Sequence, residues 1–106
     1  MEQLTYAELI SMKESLERIF SQKVNAKFAF KLLILLDEYQ NELTKLSLLR
    51  DKLQKDEPEK SEELFIDFLT TTETTLQSKL LSTELIENNI EISTTELLLL
   101  RKILAN

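Results

Sequence analysis

The chain has 106 residues, a formal net charge of −6 and no glycine, histidine, cysteine or tryptophan, and its length suits one small domain spanning residues 1–106. Without glycine, phosphate-binding loops and nucleophile elbows are excluded, because their backbone conformations need that residue. Without histidine or cysteine, zinc sites and His- or Cys-based nucleophiles are excluded as well, which leaves carboxylates, lysine, tyrosine and hydroxyls as possible catalysts. We predict a non-enzymatic protein with no metal and no other cofactor.

Helix-forming residues dominate what remains, because leucine occurs 23 times and 30% of the residues are charged. This mixture is typical of long helices and helical hairpins, so we predict a mainly helical, all-α fold, in which one very short two-stranded element is an open alternative. The longest apolar run, residues 32–36, is far shorter than the ~20 residues that a membrane span needs. Met1 is followed by Glu2 rather than by a basic and then an apolar segment. We therefore expect no signal peptide, no membrane contact and a cytoplasmic location.

The first predicted helix extends from Thr5 to Gln22. Thr5 and Glu8 form a capping box, in which each side chain bonds the backbone N–H of the other residue. Leu4 and Leu9 stand at the two positions of a hydrophobic staple around it. Further along, apolar residues repeat at the three-and-four spacing of a single helical face. This pattern predicts an amphipathic helix that packs on one partner surface.

The second predicted helix covers residues 26–55, and Asn25 before it can cap the helix or adopt a left-handed conformation. Its length corresponds to a rod of roughly 45 Å. The short connection between the helices predicts an antiparallel hairpin over residues 1–55. One seam of the second helix is apolar and is a candidate surface for oligomerisation. The seam consists of Leu32, Leu36, Tyr39, Leu43, Leu46 and Leu53.

A polar loop at residues 54–61 separates the two halves of the chain, because it includes the single proline, Pro58. A shorter third helix is predicted over residues 62–69. Glu62 and Glu63 lie in its first turn, where the helix dipole favours acidic side chains. The second half therefore begins with a strongly acidic helix.

The segment at residues 70–81 combines threonines, which favour extended structure, with leucines at helical spacing, so helix and strand both fit it. We predict one further helical turn at residues 82–86, which ends in a glycine-free turn at residues 88–89. Residues 90–92 alternate apolar and charged side chains, as a very short strand does. We expect this second half, residues 56–106, to pack back on the hairpin.

The last predicted helix, residues 93–104, begins with a second capping box formed by Ser93 and Glu96. The order of hairpin, acidic loop and this late element resembles small helical proteins of unknown function encoded by phages and prophages of low-GC bacteria. The segments that carry the resemblance are Leu4–Leu9, Leu49–Leu53 and Ile90–Leu97. It implies a viral accessory protein, and it carries over no catalytic residue.

An enzymatic alternative depends on Glu14, Glu17, Asp37 and Glu38, whose spacing resembles the Mg²⁺-binding carboxylates of all-α nucleotide pyrophosphohydrolases. Asn41 stands where a further acid would be needed. Glu14 and Glu17 also fall on the polar face of the first helix. We therefore favour a solvated surface over a metal site.

Negative charge is concentrated in the second half. Residues 1–55 contain nine basic and eight acidic side chains, whereas residues 56–96 contain two basic and eleven acidic ones. Such a field repels nucleic acid and attracts a basic protein surface, although a solubilising surface would have the same composition. The candidate partner-binding residues are Glu57, Glu59, Glu62, Glu63, Asp67 and Glu73.

These features favour a non-catalytic accessory protein that binds a host or viral protein. Its acidic half would inhibit a host defence or nucleic-acid enzyme. The alternative is a virion or assembly component that forms homo-oligomers through the leucine seam. Neither hypothesis involves direct contact with nucleic acid or a membrane.

Overall fold

The computed structural model describes residues 3–105 and shows a mainly helical chain, which confirms the all-α prediction. The helices are α1 (Tyr6–Ser11), α2 (Lys13–Ser21), α3 (Ala26–Asp56), α4 (Ser61–Thr71), α5 (Ser82–Glu87) and α6 (Thr94–Leu100), which continues into a 3₁₀ turn at Arg101–Ile103. The strands are β1 (Leu4–Thr5), β2 (Glu73–Thr74), β3 (Leu80–Leu81) and β4 (Leu104–Ala105). No helix within residues 3–105 is long and apolar enough to span a membrane.

The first half of the chain is an antiparallel helical hairpin, as the sequence predicts. Tyr6 Oη donates a hydrogen bond to Glu42 Oε2 over 2.8 Å, and Tyr39 Oη donates to the Leu9 carbonyl over 2.6 Å. Earlier residues of the first arm thus lie opposite later residues of α3, which is the antiparallel arrangement. The connection is short, and Asn25 caps α3 by accepting a backbone N–H of its first turn.

The first arm of the hairpin is divided, although the sequence predicts one helix from Thr5 to Gln22. The Met12 N–H bonds the Leu9 carbonyl three residues back, so one turn tightens before α2 begins. Met12 keeps a right-handed helical conformation, with φ −80° and ψ −13°. Apolar periodicity does not reveal this division, because Met12 is buried like Leu9 and the hydrophobic face continues through it.

The hydrophobic core surrounds the first half of α3. From this helix Phe28, Leu32, Leu35 and Tyr39 face inward. The N-terminal segment covers them with Leu4, Leu9, Met12, Leu16 and Ile19, and the C-terminal segment with Leu76, Leu80, Leu85, Leu100 and Ile103. Both ends of the chain are therefore needed to bury one helix.

The segment at residues 70–81 is neither a single helix nor a single strand. Its first two residues extend α4, and then β2 pairs antiparallel with β1. After an irregular stretch, β3 pairs in parallel with β4. Threonine propensity and leucine spacing each describe one part of this segment, which is why the sequence supports both interpretations.

The predicted strand at residues 90–92 is wrong. The side-chain amide of Gln22 bonds both backbone groups of Glu91, accepting its N–H over 2.7 Å and donating to its carbonyl over 2.9 Å. One amide thus takes the place that a neighbouring strand would have. The predicted turn at residues 88–89 is confirmed, because Asn89 adopts a left-handed conformation with φ 52°.

Both predicted capping boxes are present, and each one also connects distant parts of the chain. Glu8, in the first box, is bound by Lys102 Nζ over 3.0 Å. Glu96, in the second box, pairs with Arg18 of α2. Hydrogen bonds from the N-cap backbone N–H, together with these cations, hold the pKa of both carboxyls below the ordinary value of 4.5.

Acidification should destabilise the fold through these two carboxylates. A carboxyl whose pKa is lowered by folding contributes stability above its unfolded pKa, and this contribution is lost as pH falls through the folded pKa. We expect the free energy of unfolding, measured by urea titration, to decline below about pH 4.5. In the double variant Glu8→Gln/Glu96→Gln, which has no charge to lose at these positions, the decline should be shallower. Identical slopes in both proteins would contradict this assignment.

Candidate functional site

The second half of α3 and most of α4 project beyond the core. Leu46 is the last buried side chain of α3, and α4, which the structure describes in full, has no buried side chain. The protein measures 50 × 22 × 22 Å, and its radius of gyration is 15.5 Å, against about 13 Å for a compact domain of this length. We call residues 47–71 the distal hairpin.

Half-buried apolar side chains hold the distal hairpin together. Leu49 and Leu53 of α3, and Phe65 and Phe68 of α4, have intermediate exposure. At the base of the hairpin the Phe68 ring lies 5.3 Å from the ring of Tyr6, centroid to centroid. This contact attaches α4 to α1. The tip has no such support, because every residue of the loop at 57–60 is exposed.

Five of the six candidate acidic residues lie in the distal hairpin. They are Glu57 and Glu59 in the loop after α3, and Glu62, Glu63 and Asp67 on α4. Glu73 lies apart on β2, opposite Thr5 and beyond the end of α4. All six are exposed, and within residues 3–105 none of them forms an ion pair. Most of the predicted acidic residues therefore lie exposed within one segment, the distal hairpin.

The basic residues of the distal hairpin lie mainly on α3. Residues 56–71 contain six acidic side chains and only one basic side chain, Lys60. On the α3 side, Lys52 pairs with Asp56 over 2.7 Å, which raises the pKa of Lys52 through that hydrogen bond. The negative surface is thus the loop together with α4, where Glu62 shares a groove with Arg50 of α3.

Two exposed apolar residues that were not predicted as site residues stand among these acids. Ile66 is 52% exposed, and Leu64 is also exposed. Ile66 also lines a groove between α3 and α4 beside Glu62 and Arg50. The sequence does indicate exposed apolar residues here, because the run Leu64–Leu69 contains more apolar residues than one helical face can bury.

The leucine seam faces the interior of its own chain. Leu32, Tyr39 and Leu46 are buried, and the other members of the seam are half-buried. Those others are Leu36, Leu43 and Leu53. A second copy therefore cannot use this seam as a whole without opening the fold, and oligomerisation needs another face.

The four carboxylates of the enzymatic alternative are not gathered into one site, although Glu17 and Asp37 line the same groove between α2 and α3. Glu38 accepts hydrogen bonds from the backbone N–H groups of Gln77 and Ser78, and it thereby attaches the segment between β2 and β3 to α3. Glu14 and Glu17 are exposed on α2. Among the residues that the structure describes, no group of three acidic side chains could hold a metal ion.

No family model, curated protein or solved structure matches this chain. The resemblance to phage-encoded proteins is therefore carried only by the sequence segments that suggested it, and it stays a prediction. Inferences about function depend on the chemistry of the surface.

Two neighbouring leucines of α3 test the boundary between the core and the distal hairpin. Leu46 is 5% exposed and Leu48 is 65% exposed. Leu46→Ala should lower the free energy of unfolding by about 2–3 kcal/mol, because it removes buried surface and leaves a cavity. Leu48→Ala should change it by less than about 0.5 kcal/mol. Urea denaturation followed by circular dichroism measures both, and equal losses would contradict the inward orientation of the seam.

Proposed function

We propose that this protein is a non-catalytic binding protein whose distal hairpin docks on a basic surface of another protein. The observation that carries the proposal is the set of five exposed hairpin carboxylates, which form no ion pair within residues 3–105. Carboxylates without a cationic partner keep their field, which attracts opposite charge. A phage accessory role, with a host defence or nucleic-acid enzyme as the target, is the most specific form of this proposal.

The spacing of the acids makes their fields add. Glu63 and Asp67 stand one helical turn apart on α4, about 6 Å along the axis, which is shorter than the Debye length of about 8 Å at physiological salt. Each surface charge of this kind contributes less than about 1 kcal/mol to the free energy of binding. Together, however, the charges raise the rate of association. Ile66 and Leu64, exposed among the acids, supply apolar contact once the partner has arrived.

The chemistry of the surface selects the partner class. Nucleic acid is repelled, because both surfaces are negative. A protein face that binds phosphates is rich in lysine and arginine, and carboxylates compete with phosphates for those side chains. Proteins with a basic, phosphate-binding face therefore fit the distal hairpin best.

An assembly component remains the second candidate, supported by a different surface. The outer face of α3 exposes Phe30, Leu33 and Ile34, far from the distal tip. Apolar surface of this kind marks contacts between proteins.

Charge reversal on the distal hairpin tests the proposed function. The test variant replaces Glu57, Glu59, Glu63 and Asp67 by Lys. A control variant with the same change in net charge replaces four acids outside the hairpin by Lys. They are Glu14, Glu17, Glu87 and Glu91, all of which are exposed. Immobilised wild type should capture its partner from a cell lysate at low ionic strength, where the Debye length approaches about 30 Å, and capture should weaken as salt rises.

We expect the hairpin variant to lose at least about tenfold in capture, equivalent to roughly 1.4 kcal/mol, while the control keeps most of it. Quantitative mass spectrometry of the captured proteins measures both. Equal losses in the two variants, or capture by wild type that salt does not affect, would contradict docking through the hairpin. Thermal melting of each variant shows that a loss is not caused by unfolding.

A further inference from the structure

The outer face of α3 in its first half is apolar and uncovered within the single chain. Phe30 is 64% exposed, Leu33 52% and Ile34 44%. These side chains lie on the opposite side of the helix from Leu32 and Leu35, which are buried in the core. Isolated exposed apolar residues are common, but three large ones within two turns form a patch of the kind found at protein contacts.

A cation and an anion stand at the two ends of this patch. Lys27 lies about one turn before Phe30, and Asp37 lies about one turn after Ile34. Both are exposed, and within residues 3–105 neither forms an ion pair. The neighbouring Lys31, by contrast, pairs with Glu84. Along α3 the exposed side chains are thus a lysine, then apolar residues, then an aspartate. Lys27 shares a groove with Glu84 and Glu87 of α5, and Asp37 shares one with Lys13 of α2.

We propose that two copies of this chain pair through the outer face of α3 in an antiparallel, two-fold symmetric arrangement. A face with opposite charges at its ends is complementary to itself only when the second copy is reversed. About a two-fold axis near the middle of the patch, each Lys27 lies opposite the partner's Asp37, and each Phe30 lies opposite the partner's Ile34. Such an isologous contact closes at two copies.

The uncovered surface extends from α3 onto α2. A groove between the two helices is lined by Leu16 and Glu17 on one side and by Leu33 and Asp37 on the other. Phe20 of α2 is 45% exposed as well. The patch is therefore wider than a single helix, as an interface between two copies needs to be.

This pairing rests on the outer face of α3, which also supports the assembly candidate, and it commits that face to a second copy of this chain. It does not use the leucine seam, which the core occupies, and it leaves the distal hairpin free. Because α3 runs in opposite directions in the two copies, the pair presents one acidic hairpin at each end. The pairing does not depend on the docking function of those hairpins.

Two complementary charge variants test the antiparallel arrangement. Lys27→Glu and Asp37→Lys each place like charges opposite one another, so each variant alone should dissociate at least about tenfold more readily than wild type. An equimolar mixture of the two variants should regain dimers, because each altered charge then meets an opposite one. Sedimentation equilibrium across the micromolar range measures all of these species, and wild type should be a dimer there.

Further variants separate pairing from folding and from docking. Phe30→Asp should abolish the dimer and leave a folded monomer, because Phe30 is exposed in the single chain. Its circular dichroism spectrum should match that of wild type, and its thermal midpoint should match that of wild type diluted until it is monomeric. The variant in which four acids of the distal hairpin are replaced by Lys should dimerise as wild type does. Failure of the docking proposal therefore leaves this inference intact. A monomeric wild type, or a mixture of variants that associates no better than either alone, would overturn the proposed pairing.

Discussion

The structure depends on how the first half of α3 is covered. This stretch is apolar around most of its circumference, and no single helix can bury all of its inward side chains. The N-terminal and C-terminal segments therefore close over it from two directions. Tyr39 fixes one of these contacts, since its hydroxyl donates to the Leu9 carbonyl inside the core. Burial raises the pKa of Tyr39 to about 12, so the hydroxyl keeps the proton that it donates.

Asparagines build two of the turns that make this closure possible, and at one of them, Asn89, asparagine takes the place of glycine. Asn89 adopts the left-handed conformation after α5, which asparagine tolerates better than most residues. The Asn88 side chain bonds the Glu84 carbonyl and accepts the Asn25 N–H over 2.8 Å. One side chain thus ends α5 and positions the start of α3. The absence of glycine changes how the turns are built, and the chain still reverses direction.

The helix caps and the length of α3 could be predicted from the sequence, because short stretches of the chain determine them. The capping boxes at Thr5 and Ser93, the cap at Asn25 and the length of α3 follow from residues close together in the chain. The two small sheets could not be predicted, because each strand has two residues, too few for a periodic pattern, and pairs with a distant segment. The same limit explains the false strand at residues 90–92, whose partner is a side chain.

The acidic surface and the leucine seam show how far sequence reasoning extends to function. Charge in a loop and in the first turn of a helix is exposed almost by necessity, so the positions of Glu57 to Asp67 follow from the helix boundaries. A leucine stripe has the same periodicity whether its own chain or a second copy covers it. Only the three-dimensional arrangement shows that Leu32 and Leu46 face inward while Phe30 and Leu48 face outward.

One end of the protein is a hydrophobic core, and the other end is a hairpin with little support from the rest of the chain. Native-state hydrogen exchange measures this division directly, because amides in a core open only with global unfolding, whereas weakly packed segments open locally. Amides of α3 up to Leu46 should therefore exchange with the free energy of global unfolding. Those at residues 47–71 should exchange faster, through a smaller opening. Uniform protection along the whole of α3 and α4 would contradict this division.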